Sequence, residues 1–360
     1  MASTPIQQEH RRGSLRGPTG FLAALSDARC SIVGPAFDAL FFWGAPLAAL
    51  LGVKAWIALA AVQSDATGSA MMRAMVGFSI IFTYAHLIAV VPRAYFNRDV
   101  FAANRMRLTL VPVLLIAGLV ISPALFAIGG TAAILWDVHH SAMQNFGLAR
   151  IYDMKAGNDP LVLRRTDLRL NWFLYVGPLA AGAALMTHLH ALDRLDQTSL
   201  AALARLPGIL QGQLSAISMI AAIAWAAAIG LAMLSYRRAI KAGYRPPAQK
   251  MMLIVSTGLV SLIAWGFSSP IIAFISINIY HAVQYFALVW LKEGQRMKAL
   301  MGVGGHAGLL IFGVACGLFG FAYSLAAISS PKWIGGIFIA CSLLHFWYDG
   351  FVWSVRKKQV

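Results

Sequence analysis

Charged side chains are scarce in this chain, and acidic ones are scarcer still. Of 360 residues 12% are charged, and only 13 are Asp or Glu against 29 Lys or Arg. With 59% hydrophobic residues and a mean hydropathy of +0.70, an ordinary soluble globular domain is excluded. The three cysteines, Cys30, Cys316 and Cys341, lie far apart without metal-ligand spacing, which argues against a disulfide framework and a zinc ribbon. No glycine-rich nucleotide loop is present, so reducing equivalents, if the chemistry needs them, must come from an electron donor. A net charge of +16 is the kind of balance nucleic-acid binding calls for, but the basic residues sit in short clusters between apolar runs and form no single basic face. They read instead as markers of membrane topology.

What the chain has in abundance is long apolar runs. A bilayer core of about 30 Å needs about 20 residues of helix, and on that measure spans fall near 36–62, 69–95, 106–128, 130–152, 169–188, 208–236, 250–267, 269–292, 304–328 and 333–355. The expected fold is all-α: a polytopic bundle of about ten transmembrane helices, a single domain over 36–355. Residues 1–35 lack the apolar core and small-residue cleavage site of a secretory signal and read as a cytoplasmic N-terminal tail. Basic residues concentrate on alternate connections: the tail, the loops near 93–107, 150–169, 237–250 and 292–298, and the C-terminal Arg356, Lys357 and Lys358. Only Lys54, Arg73, Arg194, Arg205 and Lys332 fall on the other side, so both termini are expected on the cytoplasmic face, of a bacterial inner membrane. The stretch 193–206 has apolar residues at helical spacing, as a surface helix on the outer face would.

Given that topology, the polar residues acquire a depth. Four spans running from the outer face inward each carry a histidine: His86 seven residues before Arg93, His140 ten before Arg150, His281 eleven before Lys292 and His345 eleven before Arg356. At about 1.5 Å per residue these imidazoles share one layer in the inner half of the membrane. Each has polar neighbours three or four residues away on its own face. Asp137 and Gln144 accompany His140; Asn278, Gln284 and Tyr285 accompany His281; Tyr348 and Asp349 accompany His345; Thr83 accompanies His86. Asp38, near the start of the first span, is within reach of the same layer. A lone intramembrane histidine often only bonds a neighbouring helix. Four at one depth point to a site.

Adjacent residues of a helix are about 100° apart, so His139 and His140 cannot both face one centre. His140 is expected to be the ligand, with His139 a supporting residue or a ligand of a second ion. His86, His140, His281 and His345, with oxygen from Asp349 or Gln284, make a donor set without sulfur that suits iron, zinc or manganese. Intramembrane carboxylates are costly, so Asp349 and Asp137 are read as functional, with catalytic roles. Arg93 and Arg150 are candidates for holding an acidic head group. Aromatic residues at the same depth, among them Trp136, Trp347 and Phe346, favour a lipophilic substrate such as a lipid or isoprenoid, taken from the surrounding membrane lipids.

The stretch WDVHHSAMQN (136–145) resembles the tryptophan-histidine-serine segment, with a second histidine one turn on, of bacterial β-carotene dioxygenases, polytopic membrane proteins that use non-haem iron. Gln144 stands where that second histidine would be, and the family's early histidine motif is missing from the first span. The HxxxH and HxxHH boxes of membrane desaturases are also absent. The resemblance implies an iron-dependent oxygenase. The leading expectation is accordingly a membrane-bound, metal-dependent oxidoreductase, plausibly with non-haem iron. A zinc-dependent lipid hydrolase with Asp349 or Asp137 as general base is a second reading; a b-type haem cytochrome and a transporter are further ones.

Overall fold

Short polar residues and prolines set the helix ends. The Ser122 hydroxyl accepts the Leu125 amide at 3.3 Å and Pro123 takes the first helical position, where no amide hydrogen is needed. Another long helix opens at Pro270 and stops at Gly302, which adopts the left-handed conformation with φ 66°. The computed structural model describes residues 20–329 and 331–353. His10, Arg11, Arg12 and Arg16 of the tail, and the basic Arg356, Lys357 and Lys358, lie outside them. The structure is 85% helical, with no strand among the described residues.

The long helices are α1 (Ala45–Ala61), α2 (Asp65–Ile88), α3 (Arg105–Ile121), α4 (Pro123–Lys155), α5 (Arg164–Ala181), α6 (Leu214–Lys241), α7 (Ala248–Ser261), α8 (Pro270–Met301), α9 (Ala307–Ser329) and α10 (Lys332–Val352). Among the described residues six helices are long and apolar enough to cross a membrane, or up to nine crossings if each bent pair counts as one. The bent pairs are Pro35–Trp43 with α1 (57°), α3 with α4 (116°), and α5 with Leu185–Leu195 (100°).

One expected boundary moves. The Gly129–Gly130 pair, read as a turn between spans, lies buried inside α4, and the chain turns at Ser122 instead. Packing explains it: a Cβ on Gly129 would come within 2.5 Å of the Leu119 side chain, so the missing side chain admits α3 and does not break α4. The expected surface helix over 193–206 is three short turns, His190–Leu195, Ala201–Ala204 and Leu206–Gln211. The first is tied to α4, where the Thr131 hydroxyl donates to the Ala191 carbonyl at 2.9 Å.

Helix α8 stands at the centre. One apolar core, around Tyr175, Trp265 and Tyr280, joins it to α4, α5 and α7; another, around Tyr285, Phe312 and Tyr348, joins it to α2, α9 and α10. Helix α6 is peripheral, with only Ala232 and Tyr236 buried. The described part of the N-terminal segment is docked: Gln249 on α7 donates to the carbonyls of Ala24, Leu25 and Asp27. At the basic end of α4, four charged groups are fully enclosed. Arg150 and Lys250 each bind both Asp153 and Asp167 at 2.6–2.7 Å, and Tyr236 and Tyr244 donate to the remaining carboxylate oxygens. Leu163, with φ 58°, is the one non-glycine residue with positive φ among the described residues; the loop it closes turns the carbonyls of Pro160 and Val162 onto the Arg150 guanidinium.

Candidate metal centre

Four helices each deliver one imidazole to a common point: His86 from α2, His140 from α4, His281 from α8 and His345 from α10. One ring nitrogen of each lies within 4.8 Å of the others. The rings form a closed cycle, with centroids 5.0 Å apart for His86 and His281 and 4.9 Å for His281 and His140, His140 and His345, and His345 and His86. Neighbouring planes meet at 68–86°, so each ring stands edge-on to the next. All four side chains are at most 4% exposed.

Buried polar groups are normally hydrogen-bonded. Here Nε2 of His86, Nε2 of His140 and both ring nitrogens of His281 and His345 have no hydrogen-bond partner. So many orphaned imidazole nitrogens in one apolar interior are unfavourable unless something else satisfies them. A metal ion would do so: metal–nitrogen bonds of about 2.0–2.1 Å put opposed ligand nitrogens about 4 Å apart, within the spread seen here. The one ring nitrogen with a clear partner supports this. His86 Nδ1 donates to the Thr83 carbonyl, which fixes the tautomer and leaves Nε2 to face the centre.

Asp349 sits at the edge of the ring, one helical turn beyond His345. Its Oδ1 accepts Tyr285 Oη at 2.7 Å and Trp353 Nε1 at 3.1 Å. Its Oδ2 lies 3.8 Å from both His140 Nε2 and His345 Nε2. One carboxylate oxygen is thus anchored and the other aimed at the centre. Gln144 and Gln284 support the ring through the backbone: Gln144 Nε2 donates to the His281 carbonyl at 3.0 Å and to Gln284 Oε1 at 2.9 Å, and Gln284 Nε2 donates to the Phe42 carbonyl at 2.9 Å.

Other expected site residues fall elsewhere. His139 is exposed and lines a separate, largely apolar cleft of about 300 Å³ with His188, because its position on α4 is turned away from the ring. Asp137 is not among the grouped side chains; it lies against Asn278, whose amide nitrogen donates to the Phe274 carbonyl of its own helix. Asp38 is fully buried as a backbone cap, accepting the amides of Ile32 at 2.7 Å and Val33 at 3.0 Å. Tyr348 bonds Tyr95 at 2.7 Å, away from the histidines. Neither arginine is free for a head group. Arg93 is paired with Glu293 at 2.6 Å, and Arg150 belongs to the enclosed charge cluster.

Two further groups have no role in the sequence reading: Trp353, beside the centre, and Glu293, twelve residues beyond His281 on α8. Trp353 follows Asp349 by four residues, a same-face spacing that marks it in retrospect. Glu293 is a lone acid between Lys292 and Arg296, which is itself the signal of a paired carboxylate. On the outside of the bundle, an apolar cleft of about 390 Å³ between α3, α4 and α10 is lined by Trp136, Leu344 and Trp347 among others. Trp136 packs on Phe346 with centroids 6.2 Å apart, and Phe346 packs on the His140 ring at 4.6 Å.

Comparison with known protein families, with curated proteins and with solved structures finds no match. The chemistry of the centre has to be argued from its own geometry.

Proposed function

We propose that this chain is an integral membrane metalloenzyme in which His86, His140, His281 and His345 hold one transition metal ion, with non-haem iron the best match, for oxidoreductase chemistry on a lipophilic substrate. The observation that carries this reading is the set of four buried imidazoles with orphaned nitrogens within 4.8 Å of one another. Coordination number favours iron over zinc. Four imidazoles saturate tetrahedral zinc and leave no position for the water a hydrolase needs, whereas an ion accepting up to six ligands keeps positions open. Four rings converging on one point also occupy the plane a porphyrin requires, which disfavours haem. Iron with open positions supplies dioxygen and one-electron chemistry.

The chain's own residues then do the rest. Thr83 and the Gln144–Gln284 pair hold two ligands in place, and Tyr285 and Trp353 hold Asp349 with one oxygen toward the centre. The aromatic wall of Trp136 and Phe346 separates the histidines from the lipid-side cleft, which suits a hydrocarbon or isoprenoid chain and keeps water out. In the same reading the ten long helices are ten crossings with both termini cytoplasmic. The 116° bend between α3 and α4 supports this, since it is closer to a reversal than to one broken span.

The test is metal analysis and absorption spectroscopy of the protein purified in detergent. Expected is one iron per chain without a haem absorption band, lost in His140→Ala and His281→Ala and kept in His139→Ala. Stoichiometric zinc overturns the redox reading. Absence of any metal overturns the site.

A further inference from the structure

Between the four-histidine ring and the basic end of the molecule lies an unbroken aromatic contact. The Tyr285 ring is 4.8 Å from the His345 ring and 6.0 Å from that of His86. The Trp353 ring follows at 6.3 Å, and its Nε1 lies 3.1 Å from the Asp349 oxygen that Tyr285 also binds. Tyr285 is 1% exposed, whereas Trp353, at the end of α10, is partly exposed.

The surface at that point is strongly basic. The Arg93 guanidinium lies 4.9 Å over the Trp353 ring. Arg107 stacks at 5.3 Å on Phe351, two residues earlier, and Arg296 reaches the Glu293 that pairs with Arg93. Arg107 is exposed and Arg296 is 39% exposed. Of the two acids these contacts bring near, Glu293 is buried and paired with Arg93, and Asp349 faces the histidines. A partly exposed indole inside a cationic collar, backed by an aromatic path to a metal-binding group, has the features of an electron port.

Resting on the redox reading of the centre, we propose that electrons enter through Trp353 and Tyr285, and that the basic collar is the docking surface for an acidic protein carrying one electron. In each transfer the carrier loses one electron and the ferric ion in the ring gains it, becoming ferrous. No bond forms or breaks, and no proton need move. Acidic charge on the carrier complements the collar and steers encounter, as opposed charges do.

The experiment is anaerobic stopped-flow reduction of the full-length, ferric-loaded protein in detergent, with a reduced plant-type ferredoxin as the acidic carrier. The second-order rate is expected to fall on the order of 10- to 100-fold from low to high salt, as for a steered encounter. Trp353→Leu and Trp353→Phe both lose the hydrogen bond to Asp349, so their rates are compared per bound iron: Trp353→Leu is expected to lose the fast phase and Trp353→Phe to recover part of it. Arg107→Glu, compared with Arg107→Gln, which loses the same contact with Phe351 without reversing the charge, is expected to slow the encounter further and remove more of its salt dependence. Wild-type rates in the Trp353 variants overturn the port. So does faster reduction by a long-chain quinol in the micelle that is indifferent to Trp353, which assigns electron entry to the bilayer side. Failure of the unaltered protein to bind iron sinks the metal reading itself, whereas bound iron with unchanged kinetics sinks only the route.

Discussion

Asp349 uses its two carboxylate oxygens differently, and the difference gives it a role that Asp137 lacks. Oδ1 takes two donors, while Oδ2 is held 3.8 Å from two ligand nitrogens. Replacing it by the isosteric amide keeps the shape and removes the charge facing the metal. Asp349→Asn is therefore expected to weaken metal binding on the order of 10- to 100-fold, the usual cost of losing a group that supports a metal's ligands. Asp137→Asn should leave it unchanged. Competition with a chelator measures both, and equal affinities in the two variants would remove Asp349 from the centre. Helical phase alone separated His140 from His139 and placed Asp349 beside His345. The same rule paired Asp137 with His140, and the structure does not bring it to the ring. Spacing along one helix says which residues share a face; it cannot say how far along that face the neighbouring helix presents its ligands. Nor could it find the Thr83 and Phe42 carbonyls, since backbone acceptors carry no residue-type signal.

At the scale of elements, α4, α5 and α7 are clamped at their basic ends by the Arg150, Lys250, Asp153 and Asp167 cluster, all of it at most 6% exposed. The sequence reading places Arg150 and Lys250 among the basic loops marking the cytoplasmic side, with Arg150 also a candidate for an acidic head group, and singles out neither Asp153 nor Asp167. Both acids lie near basic residues in the chain, but the four-way pairing depends on three helices meeting, which no local pattern encodes. Lys250→Met leaves two buried carboxylates to share Arg150 and should cost about 3–5 kcal/mol, as breaking a buried pair does. Thermal unfolding in detergent reads this as a lowered midpoint. Adding Asp153→Asn, which removes one of the two stranded charges, should recover part of the loss. A single variant as stable as the unaltered protein would show that Lys250 is not needed to neutralise the cluster. Close helix approach is set in the same way elsewhere: a Cβ on Gly320 of α9 would lie 2.1 Å from the Ile81 carbonyl oxygen of α2, just before His86. That contact positions one ligand helix without any polar signature in the sequence.

For the whole molecule, the apolar runs made a helical membrane bundle legible from composition and length, because the bilayer imposes both. Whether α3 and α4 are two crossings or one was less legible, since the turn at Ser122 is short and the paired glycines nearby looked like a better break. The distinction has a direct consequence. If the two helices cross separately, the loop before α3 and the loop after α4 lie on the same face of the membrane; if they form one bent span, those loops lie on opposite faces. Asp99 and Asp159 are exposed representatives of the two. In a background free of Cys30, Cys316 and Cys341, Asp99→Cys and Asp159→Cys are expected to react with a membrane-impermeant maleimide only after the cells are permeabilised. Gln63→Cys, between α1 and α2, should react in intact cells. Basic residues crowd both loops, Arg98, Arg105 and Arg107 in one and Arg164, Arg165 and Arg169 in and just after the other, and the preference of such residues for the cytoplasmic side favours the common face. Labelling of Asp159→Cys from outside, with Asp99→Cys protected, would make α3 and α4 a single broken span and reduce the crossings to nine. His86 and His140 would then lie on helices entering from opposite faces, and the depth argument that first joined them would lose its basis.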